Sequence, residues 1–202
     1  MSRAARPQFR CIYADPGWQY RNTRTGGSHK SGSAQHYRTL SLEQLQALPI
    51  PTLAHDEGAC LFLWVTVPML EEGLATLNAW GFKYKNATFW DKQRYGMGYW
   101  TRGQVEPLLF GIRKRVPAFR SSLRNITEHS TRHSAKPASA RKGIEQVVGA
   151  FAPDRMSRVE LFARDKVDGW SAWGDEIDSD IVLAHGIWSW RASASASASV
   201  KE

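Results

Sequence analysis

The apolar positions of this chain fall into short continuous runs separated by amphipathic stretches, and that alternation predicts its architecture. Cys11-Ile12-Tyr13-Ala14 and Ala59-Cys60-Leu61-Phe62-Leu63-Trp64-Val65-Thr66 are almost unbroken apolar runs, as expected of strands buried on both faces. Phe82 to Trp90, Pro107 to Ile112 and Val159 to Ala163 read as three further strands. After Pro68, residues Met69, Leu70, Leu74, Leu77 and Trp80 recur at helical spacing, and Gly81 closes the helix at the C′ position. Ser41-Leu42-Glu43-Gln44 has the capping-box signature and starts a short helix that ends before Pro49 and Pro51. Pro137 opens another helix at N1, carrying Ile144, Val147 and Val148. Strands alternating with helices imply an α/β fold, a mostly parallel sheet with helices on both faces.

The first run stops abruptly at Asp15-Pro16-Gly17-Trp18. In open α/β sheets ligands bind beyond the carboxyl ends of the strands. There this turn sets one carboxylate and two backbone carbonyls, all acceptors, beside an indole face. Acceptors next to an aromatic plane suit an amino group on a planar ring such as adenine or cytosine. The alternative is an ordinary Asp-Pro turn. Residues 22 to 35 then form a Gly/Ser-rich loop able to close over a substrate. Residues 91 to 103 form a second loop, with Tyr95, Tyr99 and Trp100 among glycines and arginines.

Composition narrows the class. With 202 residues, 42% hydrophobic residues and nine tryptophans, the chain suits a single folded domain. Cys11 and Cys60 sit inside apolar runs, which predicts reduced, buried thiols rather than a disulfide or a zinc site. His29, His36, His129 and His133 lack a ligand-like pattern, so no metal is expected. No run has the length of a membrane span, and no apolar signal segment follows the basic N-terminus, so a cytoplasmic protein is expected. The net charge of +8 is concentrated: residues 113 to 142 hold nine basic side chains against Glu128 alone. Arg113, Lys114, Arg115 and Arg120 read either as a solvated loop or, beside a base-binding turn, as a phosphate-binding surface. Residues 179 to 202 read as a C-terminal extension, low in complexity and disordered from 192.

Eight blocks occur in an order that resembles the Asp-Pro-Pro-Trp N6-adenine methyltransferases. They are Asp15-Pro16-Gly17-Trp18, His36 to Ser41, Leu61 to Thr66, Trp80-Gly81-Phe82, Gly96 to Arg102, His133 to Pro137, Glu160 to Arg164 and Gly169 to Gly174. The resemblance spans roughly residues 9 to 178, the expected methyltransferase domain, and is greatest to the compact phage and bacterial branch. It implies a Rossmann-like methyltransferase fold of permuted motif order, with S-adenosylmethionine as cofactor. By resemblance, Asp15 accepts a hydrogen bond from the target amine and also serves the cofactor. The Pro16 carbonyl is a second acceptor, with Gly17 in the same turn, and Trp18 packs on the base. Tyr37 falls at a base-contacting position, and Trp100 and Arg102 belong to the substrate side. Lys136 resembles a lysine near the methionine part of the cofactor, Arg164 lies where the ribose is held, and Gly174, Asp175 and Glu176 align with the adenine contacts. Two positions depart from the pattern. Gly17 replaces the second proline, which loosens the turn, and Asp175 replaces a frequent asparagine, so it accepts but cannot donate.

Positioning an amine whose lone pair is delocalised into its ring is a task for acceptors rather than for a strong base. An adenine inside a duplex must be flipped out to reach such a turn. Trp18, Tyr37 and Trp100 are the candidate stacking partners, and Trp64, Trp80 and Trp90 are expected in the core. The expected activity is adenine N6-methylation of nucleic acid, DNA in preference to RNA, because the chain resembles free-standing members without an appended recognition domain. The alternatives are an RNA adenosine methyltransferase and a noncatalytic nucleic-acid-binding homologue.

Overall fold

The computed structural model describes residues 8–18, 40–96, 100–129, 135–184 and 187–190. Tyr37, the 22–35 loop and residues 191–202 lie outside them. Seven strands make one sheet: β1 (Cys11–Ala14), β2 (Gly58–Trp64), β3 (Lys83–Asp91), β4 (Val105–Lys114), β5 (Ile126–Thr127), β6 (Arg158–Leu161) and β7 (Ser171–Trp173). Their spatial order is β5-β3-β4-β2-β1-β6-β7. β1 runs parallel to both β2 and β6, and β6 parallel to β7. β4 alone runs against its neighbours β2 and β3. The sheet is therefore mostly parallel, as expected, with one reversed strand in its interior.

Side-chain alternation divides the core into two layers. Ile12, Ala14, Leu61, Leu63 and Leu109 face one side. They pack with Leu45 of α1 (Leu42–Gln46), Ile50 and Leu53 of α2 (Ile50–Leu53) and Leu77 of α3 (Leu70–Ala79). Cys11, Tyr13, Cys60, Phe62, Trp64 and Leu108 face the other side, where α4 (Ala138–Val148) supplies Ala140, Ile144 and Val148. Cys11 and Cys60 are register partners on β1 and β2, both buried and free. Trp64, Trp80 and Trp90 are core residues at no more than 2% exposure.

Several local readings hold at atomic detail. The Ser41 hydroxyl accepts from the Gln44 amide at 3.2 Å, and the Gln44 side chain accepts from the Ser41 amide at 2.9 Å, a complete capping box. At the end of α3, Gly81 takes φ +79°, donating to Asn78 while Phe82 donates to Leu77, which is the Schellman pairing.

α1 ends before Pro49 and Pro51, as expected, and Pro51 stands at the second position of α2, which needs no amide donor. The structure differs from the pattern in three places. Pro137 is the N-cap of α4, one position earlier than expected, with ψ 135°. The basic stretch is not one loop, since Arg113 and Lys114 finish β4 and β5 interrupts the remainder. Inside the expected extension lies a hairpin, β8 (Ile181–Ala184) and β9 (Ile187–Trp190), and Ile181 is buried in the core.

Ser41→Ala removes one half of the reciprocal cap and should cost about 1 kcal/mol, read as a lowered urea midpoint at unchanged slope.

Candidate active site

Chain order reverses at β1, since β2 lies on one side of it and β6 on the other. Such a switch point opens a crevice at the carboxyl ends of the strands. Asp15 is the first residue past β1, and its amide donates to the Leu161 carbonyl at the end of β6 at 3.4 Å. The acid expected from the turn thus stands where the topology opens a ligand site.

Three further strands and α4 converge on it. Lys136, just ahead of α4, places its ammonium 2.8 Å from Asp15 Oδ1 and 2.9 Å from Glu106 Oε1. Glu106 Oε2 in turn lies 2.9 Å from Lys92. The chain Asp15–Lys136–Glu106–Lys92 is largely withdrawn from water, with Asp15, Lys136 and Glu106 side chains 19%, 11% and 7% exposed. Aromatic rings floor it: Lys136 lies 5.6 Å from the Trp64 ring centroid and Lys92 5.6 Å from that of Trp90. Trp64 is itself fixed, because its indole donates to the Tyr13 hydroxyl at 2.6 Å.

Burial acts on each group and the partners decide the outcome. Burial raises the Asp15 pKa above the ordinary aspartate value; Lys136 opposes this and Glu106 adds to it. Burial works against the charge on Glu106 too, but Lys136 and Lys92 together hold its pKa below the usual glutamate value. Lys136 is pulled down by burial, yet Asp15 and Glu106 leave it raised. Two carboxylates with one shared ammonium are therefore shifted in opposite directions, Asp15 toward its protonated form and Glu106 toward its ionised one.

α4 is locked in place by its own ion pair. Arg141 reaches both oxygens of Glu160 on β6, at 2.9 and 2.8 Å, and the Trp170 indole donates to Glu145 at 2.6 Å. That docking fixes where Lys136 enters the cleft.

The remaining expected residues divide between two flanks. Arg164 follows β6 and its charge favours ionised Asp15. Gly174 directly follows β7, and a Cβ there would lie 1.9 Å from the Ala163 carbonyl oxygen, so only glycine lets these strand ends approach. Asp175 and Glu176 are exposed beyond it. On the opposite flank, Trp100 and Arg102 are exposed between β3 and β4. Pro16 is buried and Gly17 exposed.

Two expectations are corrected by this geometry. Trp18 is not an open stacking plate: it is 6% exposed, and its indole donates to the Trp64 carbonyl at 3.0 Å, clamping the turn onto β2. Arg113, Lys114 and Arg115 are not beside the site. Because β4 runs backwards, seven residues carry the chain about 23 Å from Glu106 to the opposite rim, where Arg113 donates to the Pro51 carbonyl and Lys114 to that of Asp56. Glu106 and Lys92 did not emerge from the sequence, although one acid in the apolar β4 run was a usable signal. Among the described residues, no helix is long and apolar enough to cross a membrane, and no group of three or more His, Cys, Asp and Glu could hold a metal ion.

The chain is similar to known proteins over most of its length. Residues 9–176 match the MT-A70 family. The Type II methyltransferase M.MunI of Mycoplasma sp is 32% identical over 191 residues, covering 85% of this chain and 79% of that protein. The N6-methyladenosine RNA methyltransferase MTA1 of Pyricularia oryzae is 30% identical over 85% of this chain but 47% of its own length. The human N(6)-adenosine-methyltransferase catalytic subunit METTL3 is 28% identical over 85% of this chain and 28% of its own. The chain thus spans most of the Mycoplasma relative and less than half of these two eukaryotic ones. The matched span begins ahead of β1 and ends just past β7, enclosing the whole sheet and every described member of the cleft, and on that ground the chain belongs to the MT-A70 family.

Proposed function

We propose that this chain methylates the exocyclic amine of adenine in nucleic acid, DNA in preference to RNA, with S-adenosylmethionine as methyl donor. The observation that carries the reading is Asp15, a largely buried carboxylate at the switch point, with one oxygen held by Lys136. Relatives named as N6-adenosine methyltransferases support the reaction type. The preference for DNA rests on coverage: the RNA-named relative is matched over 47% of its length, the type II methyltransferase over 79%.

The flank at β6 and β7 fits the donor chemically. A carboxylate at Asp15 suits an ammonium, the exposed carboxylates Asp175 and Glu176 suit hydroxyl and amino donors, and the strand ends meet closely at Gly174. When bound, S-adenosylmethionine supplies an electrophilic methyl group on a sulfonium. The chain's own contribution is placement. An ionised carboxylate has about four acceptor sites, so Asp15 can keep Lys136 on Oδ1 and hold the target amine through its remaining lone pairs. Hydrogen bonds to Asp15 and to the Pro16 carbonyl direct the nitrogen lone pair out of the ring plane. Formation of the new N–C bond would break the sulfonium S–CH3 bond and leave a neutral thioether; Asp15 would stabilise the positive charge on the methylated nitrogen until its proton passes to solvent. Lys136 keeps Asp15 ionised while Glu106 keeps Lys136 in place.

The decisive experiment is transfer of labelled methyl from S-adenosylmethionine to unmethylated DNA and to RNA. DNA should be labelled on adenine N6; Asp15→Ala should abolish transfer and, because it takes one of two carboxylates from Lys136, lower the melting temperature while the chain stays folded.

Protonation of Asp15 should set an acid limb in the pH profile of kcat/KM, centred above the ordinary aspartate value because burial raises its pKa. Activity is then present above this pKa and lost as pH falls through it. Glu106→Gln removes a negative charge that raises the Asp15 pKa, so the limb should move to lower pH. A limb that stays put in this variant would separate it from Asp15.

Lys136→Met leaves two carboxylates facing each other without their shared cation. It should destabilise the fold by about 3–5 kcal/mol, measured by urea denaturation at neutral pH, and much of that loss should be recovered at acidic pH as Asp15 protonates.

Gly17→Pro restores the second proline of the resembled turn. The variant should gain roughly 0.4–1 kcal/mol and transfer methyl at least as fast as the parent.

A further inference from the structure

The connection between β3 and β4 leaves the sheet at the end where Asp15, Lys136 and Glu106 meet, and its described residues, 92–96 and 100–104, form the base of an arm. Lys92 donates its amide to the Gln104 carbonyl at 2.9 Å and Gly96 to that of Gly103 at 2.8 Å, extending the pairing past the strands. The Asp91 carboxylate accepts from the Gln93 amide at 2.8 Å, with Gln93 at φ +53°, which fixes the departure of the arm. Its root is tied to the site through the Lys92–Glu106 pair. Residues 92 to 104 contain Lys92, Arg94 and Arg102 and no acid. Two of its aromatics stand in water, Tyr95 at 72% and Trp100 at 96% exposure, the latter the most exposed large apolar side chain among the described residues.

An indole held almost wholly in water, on a cationic arm beside a cleft, is built for an occupant that is flat and anionic. The arm is rooted at β4, separated from β1 by β2, so strand spacing sets its root about 10 Å from the Asp15 turn. A base seated at Asp15 would thus have the root of the arm to one side of it, which suits Trp100 to the nucleic acid flanking that base. When a purine is extruded from a duplex it leaves a gap with two exposed π faces, and apolar wedges commonly fill such gaps. A single strand has no such gap.

We propose that Trp100 is a duplex wedge: it enters the base stack at the position the target adenine vacates, with Arg94 and Arg102 meeting flanking phosphates, so the substrate of this chain is double-stranded. This rests on the methyltransferase reading given above and specifies its substrate. The wedge substitutes for the stacking the departing base gives up, and the cations offset the charge of the backbone drawn against the arm.

Trp100→Ala and Trp100→Phe test it, both being surface changes that leave the melting temperature unmoved. Methyl transfer is measured on a long unmethylated DNA made by amplification, as duplex and as its separated strands. The ratio of duplex to single-strand rate should fall about tenfold or more in Trp100→Ala and recover largely in Trp100→Phe, because a phenyl ring still stacks. An unchanged ratio overturns the wedge whether or not both rates fall, and so does a parent active only on separated strands or only on RNA. A parent that transfers methyl to neither DNA nor RNA overturns the methyltransferase reading instead. Plasmid unwinding then decides the wedge alone: the parent should lower the linking number of a relaxed plasmid in the presence of topoisomerase and Trp100→Ala should not, while equal or absent unwinding overturns it.

Discussion

A single ammonium shared by two buried carboxylates organises this molecule. Lys136 stands within hydrogen-bond distance of both Asp15 and Glu106, and each of those acids is carried by a different strand with β2 between them. Taking three charges out of water is costly, and only close geometry with further partners offsets the cost. Lys92 on Glu106 and the faces of Trp64 and Trp90 supply those partners. The cleft is consequently charged, dry and fixed, the condition under which electrostatic placement of a reacting group is most effective.

The reversed strand makes this possible. If β4 ran parallel to its neighbours, its first residues would lie at the far rim and Glu106 would lie with them. Running backwards, it delivers Glu106 to the carboxyl ends of the parallel strands and sends Arg113 and Lys114 away. The same reversal makes the β3–β4 connection a hairpin at the site, so the basic aromatic arm and the acid that anchors its root follow from one topological choice.

The two flanks of the cleft are built with different materials. Toward β6 and β7 the backbone is drawn tight: Phe162 sits at φ +62° directly after β6, the Ala163 amide bonds the Trp173 carbonyl, and Gly174 admits no side chain. Positive φ in a residue other than glycine costs about 1–3 kcal/mol and is tolerated where surroundings enforce it. Here the Phe162 ring packs edge-on to Trp173, 5.2 Å between centroids. Toward β3 and β4 the surface is exposed, cationic and aromatic. A tightly drawn backbone on one side and an exposed, cationic and aromatic surface on the other thus flank the same carboxylate.

The order of strands and helices, the double-sided burial of β1 and β2, the capping box at Ser41 and the Gly81 stop were all legible along the chain, because each depends on residues within a few positions of one another. Asp15 was legible too, as an acid ending a buried run. What lay beyond local reading depended on pairing. Neither the direction of β4 nor the adjacency of residues 15, 106 and 136 is encoded by periodicity, since a strand has the same alternation read in either direction. The same holds for Trp18: an indole next to such a turn is open or buried according to what lies across from it, and Trp64 lies across from it. The basic stretch looked like one surface because charge was counted along the chain, whereas β4 and β5 distribute it between opposite rims. Local sequence determined which elements form and which carboxylate is placed at their end; tertiary structure decided which charges meet there, because burial and partner, rather than residue type, set where each charge resides.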